Sequence, residues 1–262
     1  MAKKSGSEGH AGWDEYAPFY DWENARTLGR RDVPFWRTAA LTAGGPVLEL
    51  GCGTGRIAVP IGRAGVRLVG IDRSYPMLAL ARRRLARARL TGQVGLVRGD
   101  IRAVPFPDEA FAMTMAPYGV LQSLLRERDL AATLGSVRRA LRRGGGFGVE
   151  LVADLTSWRE YQRRVSLKGW RHRHGGAHIT LMETVRQDRA RRLTIFDQEF
   201  TERRGSQRLS HHFALTFRTL SVPQMARRLE KAGFEITALL GDYRGGPWHP
   251  GAEVWIILAR RR

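Results

Sequence analysis

Val47-Leu48-Glu49-Leu50-Gly51-Cys52-Gly53-Thr54-Gly55 is the stretch that decides the fold. An apolar run holding one acid ends in glycines at every second position. Such a run reads as a buried parallel strand entering a tight turn and then a helix, which Arg56-Ile57-Ala58-Val59-Pro60-Ile61 can open. Glycine suits the turn because the backbone must bend sharply and a ligand must approach it with no Cβ in the way. Further on, a second apolar run, Val66-Arg67-Leu68-Val69-Gly70-Ile71, ends in Asp72. A glycine turn followed by an acid at the end of the next strand is how a doubly wound sheet holds a nucleoside, with the carboxylate on the ribose hydroxyls.

Dinucleotides use G-x-G-x-x-G, in which a helix N-terminus faces a pyrophosphate. Here the spacing is G-x-G-x-G, and Glu49 precedes it. A carboxylate at that place repels a pyrophosphate and suits a cofactor bearing an ammonium group. On these residues the chain resembles the class I S-adenosylmethionine-dependent methyltransferases, whose first motif has the form E/D-x-G-x-G-x-G. The alternative is a glycine turn with no ligand.

The resemblance implies S-adenosyl-L-methionine as cofactor, with Glu49, Gly51, Gly53 and Asp72 around it. It also implies that Asp100, at the end of a third strand, faces the adenine amino group, with Ile101 beside a ring nitrogen; a turn-forming aspartate is the plain alternative. Ala116, before Pro117-Tyr118, falls where relatives use a carbonyl of the fourth strand to help hold the methionine ammonium. Ala112 departs from the acid common after the Phe111 position. The Y-x-x-x-Y-D pattern of Tyr16, Tyr20 and Asp21 is similar to the N-terminal segment of small-molecule members, which folds over the methionine end. Arg30 and Arg31 stand, by position, where an arginine holds the cofactor carboxylate in glycine and amino-sugar N-methyltransferases. Tyrosine rings are suitable neighbours for a sulfonium.

The 262 residues suffice for one large domain or a domain with an insertion, and 43% hydrophobic with 26% charged is ordinary for a soluble globular chain. No apolar run reaches membrane-spanning length. The polar start, Met1 to Gly9, has no apolar signal core and reads as a tail on a cytoplasmic protein. Cys52 is the only cysteine, which excludes an intrachain disulfide and any multi-cysteine zinc site. The net charge of +19 raises a nucleic-acid partner. Yet 40 of the 44 basic residues are arginine, with Lys3, Lys4, Lys168 and Lys231 the rest, a bias that a GC-rich genome also produces. Arg82, Arg83, Arg84, Arg87 and Arg89 on one helix, and Arg138, Arg139, Arg142 and Arg143 on another, read as solvated faces opposite apolar stripes.

The pattern along the chain predicts four parts. Residues 1–45 form a tail and an aromatic helical lid, with Asp32 capping a helix that has Pro34 in its first turn. Residues 46–153 form a Rossmann-like core, including a helix over 127–143 that Gly144-Gly145-Gly146 stop. Residues 154–220 form an antiparallel β insertion of three segments (179–188, 192–201 and 207–219), preceded by Trp158, Tyr161 and Trp170 on a helix and loop. Residues 221–262 supply a helix and two last strands, and the resemblance implies that the final one is antiparallel. The fold class is therefore α/β, a doubly wound, mostly parallel seven-stranded sheet with a small β insertion after the fifth strand.

Ligands of open α/β sheets sit beyond the carboxyl ends of the strands. That rule gathers the glycine turn, Asp72, Asp100, Tyr118, the insertion and the loop Tyr243–Pro250 over one pocket for a small acceptor. Methyl transfer needs mainly alignment; a hydroxyl acceptor also benefits from a base, for which His211, His212 and His249 are candidates beside structural roles. No metal is expected, although His172, His174 and His178 lie in one Gly- and Arg-rich stretch. The expected partner is a small molecule methylated on N or O, with no membrane and with a homodimer through the meander as one option. An RNA or ribosomal-component methyltransferase, a non-catalytic S-adenosylmethionine-binding protein and an NAD enzyme stay open as alternatives. Ala116-Pro117-Tyr118 is not the D/N-P-P-Y/F signature of many base N-methylating relatives.

Overall fold

The computed structural model describes residues 12–27, 29–152, 160–171 and 176–262. β1 (Val47–Leu50) is buried at every position, as a strand must be when helices cover both faces of its sheet. It pairs in parallel with β2 (Leu68–Asp72) on one side and β4 (Phe111–Ala116) on the other. β3 (Val94–Arg98) closes one edge beyond β2, and β5 (Leu141–Leu151) lies beyond β4. The last strand, β11 (Trp255–Arg261), inserts antiparallel between β5 and β10 (Phe234–Leu240). The seven-stranded order is thus β10-β11-β5-β4-β1-β2-β3, and the strand order reverses at β1 and β4. The expected sheet and its antiparallel final strand are both present.

The helices follow ordinary local chemistry. α4 (Tyr75–Arg87) starts at Ser74, whose hydroxyl accepts from the Met77 amide at 3.3 Å, and it buries Met77, Leu78, Ala81 and Leu85. α6 (Val222–Lys231) has a full capping box, with Ser221 and Gln224 bonding each other's amides. α5 (Glu127–Ala140) buries Leu130, Leu134 and Val137. It ends three residues before the boundary read from the sequence. Gly144–Gly146 are not its stop but lie inside β5, where the register with β4 shifts by several residues. The helix after the glycine turn is also short: α3 (Ala58–Arg63) begins only once the turn has been left.

Two of the supposedly solvated arginines are structural. Arg139 donates to the carbonyls of Phe106 and Val104 at 2.6 and 2.8 Å. Arg84 reaches back to the glycine turn and to the N-terminal helix.

That helix, α1 (Trp13–Asn24), and α2 (Val33–Thr42) precede the core. Asp32 stands at the start of α2 but makes no side-chain cap; its carboxylate binds Arg56 instead. The insertion is a separate antiparallel sheet of four strands, one more than the sequence pattern showed: β6 (Tyr161–Arg171), β7 (Ala177–Asp188), β8 (Leu193–Arg204) and β9 (Gln207–Arg218). Tyr161 and Trp170 belong to β6, not to a helix and loop. β6 escaped notice because it is an edge strand rich in polar and exposed residues, with no clean alternation. Trp158 lies outside the described residues. β7 and β8 alternate strictly, and their inward side chains pack against α1.

This second core is aromatic. Phe19, 1% exposed, has ring centres of Phe200 and Phe213 at 4.6 and 5.6 Å. Truncating Phe19 to Ala removes the contact between α1 and the sheet; a loss of about 3–5 kcal/mol is expected in urea unfolding, as for other buried Phe→Ala changes.

Candidate functional site

Residues Gly51–Ile57 form a loop under the carboxyl ends of β1 and β4. Gly51 has φ +60°, and a Cβ there would meet Val120 Cγ2 at 2.4 Å. Gly53 is also left-handed, and its amide donates to Asp72 Oδ2 at 2.8 Å. Asp72 Oδ1 accepts from the Ser74 amide, also at 2.8 Å. Each carboxylate oxygen keeps a lone pair for a further donor. Burial pushes the Asp72 carboxyl above its ordinary value, against the pull of those amides.

A cavity of about 570 Å³ opens over this loop. Its floor carries Glu49, Gly51, Gly53, Arg56, Asp72, Asp100 and Ile101; its lid is α1, through Trp13, Tyr16, Tyr20, Glu23 and Asn24. Pro117 and Tyr118 from the end of β4, Tyr243 from the loop after β10, and Glu183, Phe196, Gln198, Leu215 and Phe217 from the antiparallel sheet complete it. The convergence expected of lid, insertion and late loop is therefore present.

The lid is latched. Asp21 accepts from the Thr54 hydroxyl at 2.8 Å and pairs with Arg84, which also donates to Thr54 Oγ1 at 2.9 Å. Arg56 pairs with buried Asp32 through two bonds of 2.6 Å. Its guanidinium lies 5.9 Å from the centre of the Tyr118 ring. Burial pushes the Tyr20 hydroxyl up to about 12, Arg56 opposing the shift. Glu49 is 3% exposed and its Oε2 has no hydrogen-bond partner. Burial lifts its carboxyl to about 8, although Arg56 pulls it down.

Tyr118 sits at φ +53°, a conformation that costs a non-glycine residue about 1–3 kcal/mol and is found where surroundings enforce it. The enforcing group is Glu150, at the buried end of β5. Its Oε2 accepts from the Tyr118 amide at 3.0 Å and from Trp36 Nε1 at 3.3 Å, its Oε1 from the Tyr243 hydroxyl at 2.6 Å, and its carbonyl from the Gly119 amide at 3.1 Å. One carboxylate thus fixes α2, the β4 end and the late loop around the Tyr118 ring.

Of the residues singled out from sequence, Tyr20, Glu49, Gly51, Gly53, Asp72, Asp100, Ile101 and Tyr118 all line the cavity. Ala116 is buried one residue before the wall begins. Arg30 is exposed and off the wall, whereas Arg31 and Arg56 are on it. Asp100 is already engaged by Arg102, at 2.7 Å, and by Arg73, at 3.3 Å; these contacts outweigh its partial burial and hold its carboxyl below the usual range. His212 and His249 are exposed and His211 stacks on Phe213, so none of these three reaches the cavity. His172 and His174 lie outside the described residues, and His178 is on β7. Among the described residues no group of three or more His, Cys, Asp or Glu is arranged to hold a metal.

Residues 47–145 match the family model described as a methyltransferase domain. The chain is 28% identical over 231 residues to the cypemycin N-terminal methyltransferase of a Streptomyces species, covering 84% of each chain. In structure it is similar to an S-adenosylmethionine-dependent methyltransferase of Clostridium acetobutylicum (TM-score 0.78, 15% identity, 94% of this chain and 98% of that one). It is likewise similar to a sugar N-methyltransferase of a Streptoalloteichus species (TM-score 0.73, 14% identity, 93% and 92%). The core is similar to a methyltransferase domain.

The residues of this core fit S-adenosylmethionine. Asp72 has free lone pairs beside a bare glycine backbone, and Glu49 offers an unpartnered buried oxygen. Gly51→Ala tests the fit: the new Cβ collides with Val120 on a left-handed backbone. Calorimetry with S-adenosylhomocysteine is expected to show affinity reduced at least tenfold.

Proposed function

We propose that the protein transfers the methyl group of S-adenosylmethionine to the nitrogen of an amine on a small molecule or short peptide. The observation that carries this is a pair of acids on the acceptor side of the cavity. Glu23, on the lid, receives the Tyr16 hydroxyl and, at 3.1 Å, Gln198 Nε2. The same Gln198 nitrogen donates to Glu183 at 2.8 Å, and Tyr161 and Ser166 add their hydroxyls to Glu183. Among the described residues neither acid forms an ion pair. Burial, with Glu183 nearby, lifts the Glu23 carboxyl to about 7. A buried carboxyl and a partly buried one without a cation form a site that an ammonium completes. The relatives whose names specify an N-terminal amine and a sugar nitrogen support the same choice.

When bound, the cofactor supplies an electrophilic methyl carbon on a sulfonium. In this proposal the chain's own residues do the rest. Asp72 and the Gly53 backbone hold the ribose side. Glu49 takes the ammonium of the amino-acid end, and Arg56 and Arg31 face its carboxylate. Tyr16, Tyr20 and Tyr118 exclude water and present rings and hydroxyls to a positive charge. An amine must shed its proton before its lone pair can attack in line. Glu23, poised near neutrality, takes that proton. The lone pair so freed would attack the methyl carbon, for which the sulfonium would supply the leaving group.

Two measurements check this. Labelled methyl transfer to an amine panel is expected, and kcat/KM should rise as pH passes upward through about 7, when Glu23 becomes a carboxylate. Glu23→Gln should lower kcat about 10²-fold or more and abolish that limb. The folded chain holds this proton more tightly than the unfolded one, so Glu23 makes folding stability fall as pH rises from the ordinary carboxylate range to about 7 and level off above it; Glu23→Gln should remove that part of the slope and leave the part that Glu49 contributes. Uptake of label by hydroxyl or carbon acceptors alone would sink the amine assignment. Independently, S-adenosylhomocysteine also carries an ammonium. Its binding at pH 7 should release close to one proton from Glu49, read as a dependence of binding heat on buffer ionisation enthalpy, and Glu49→Gln should remove it.

A further inference from the structure

We infer that the acceptor carries an amide beside its amine, as at the N-terminus of a short peptide or an amino-acid amide. The inference rests on the amine assignment above and deepens it. Asn24 follows Glu23 on α1, is 4% exposed, and lies on the cavity wall. Neither its Nδ2 nor its Oδ1 has a hydrogen-bond partner, although both are fully buried. Its backbone carbonyl accepts from the Gly29 amide at 2.8 Å, which fixes the residue at the end of the helix. Gln198 repeats the pattern: its Nε2 serves Glu23 and Glu183, while its Oε1 is buried without a partner.

Native proteins rarely leave such groups unpaired, and those that are call for a partner. Asn24 offers a donor nitrogen and an acceptor oxygen held in one plane. A secondary amide presents the complementary pair, and Gln198 Oε1 can accept one more N–H. Neighbouring positions on one helix put the amide-reading group one residue from the acid that holds the amine. In an α-amino amide those two functions are likewise separated by one carbon.

An amino sugar fits less well. Each of its several hydroxyls would require a partner on being desolvated. The cavity face of the antiparallel sheet instead presents Phe196, Leu215 and Phe217 beside the two polar groups. That face suits an apolar side chain next to the amine.

The test compares phenylalanine amide, phenethylamine and glucosamine as methyl acceptors of the full chain. Phenylalanine amide and phenethylamine share ring and amine, and only the first has the amide. Phenylalanine amide should exceed both others at least tenfold in kcat/KM. Asn24→Leu, close in size, should lower that value about tenfold or more for the amide and leave phenethylamine within about twofold. Unchanged S-adenosylhomocysteine affinity in the variant shows the site intact; Asn24→Ser serves if the leucine variant fails to fold. Equal use of phenethylamine, preference for glucosamine, or an Asn24→Leu loss shared by all acceptors overturns the amide inference and leaves the amine assignment standing. If none of the three is methylated while a hydroxyl compound is, both fall.

Discussion

The placement of α1 governs everything built over the cofactor floor. One side of this helix is tied to the glycine turn by the Asp21, Thr54 and Arg84 contacts. The other side is embedded in the second aromatic core, Phe19 against Phe200 and Phe213. A helix of twelve residues with Pro18 inside it has little stability of its own. Its position therefore comes from the two surfaces that grip it. Because Tyr20, Glu23 and Asn24 all ride on it, the roof of the cavity is set by one element.

Buried charge is concentrated in the same region, and each group has a distinct compensation. Asp32 and Arg56 satisfy one another in a two-bonded pair, the geometry that best offsets the loss of water. Glu150 collects three side-chain and backbone donors and so converts a buried acid into a structural hub. Glu49 and Glu23 are different. Burial lifts both carboxyls, to about 8 and about 7, without a cation strong enough to cancel it. Incomplete compensation separates these two acids from the groups that hold the fold.

The core was legible because its signals are local. Strand-glycine-helix spacing, Asp72 and repeated alternation of elements each reflect a short stretch obeying one backbone rule. Residues of the cavity floor came with it, since the sheet's topology dictates which strand ends converge. The acceptor side was harder. Glu183 and Gln198 occupy inward positions of β7 and β8, among Ile179, Leu181, Val185, Phe196 and Phe200. A polar residue at a buried step of an alternating strand is a signal visible in the sequence. Glu23 lies seven residues from Tyr16, two helical turns, so its shared face was also readable. Arg56 and Glu150 could not be found this way: their partners, Asp32, Tyr118 and Tyr243, are distant in sequence, and only tertiary packing unites them. β6 stayed hidden because edge strands need no alternation.

The two walls of the cavity belong to two different sheets. The parallel one carries the glycine turn and Asp72; the antiparallel one carries Glu183, Gln198, Phe196 and Leu215. Their hydrogen-bond ladders are independent, so an exchange of a cavity-facing side chain such as Phe196 or Leu215, away from the Phe200 and Phe213 grip on α1, leaves the ends of β1 and β2 undisturbed. Descendants of such a scaffold can retarget by drift in twelve-residue strands while the donor half stays frozen. A designer could do likewise, grafting a new meander onto an unaltered engine.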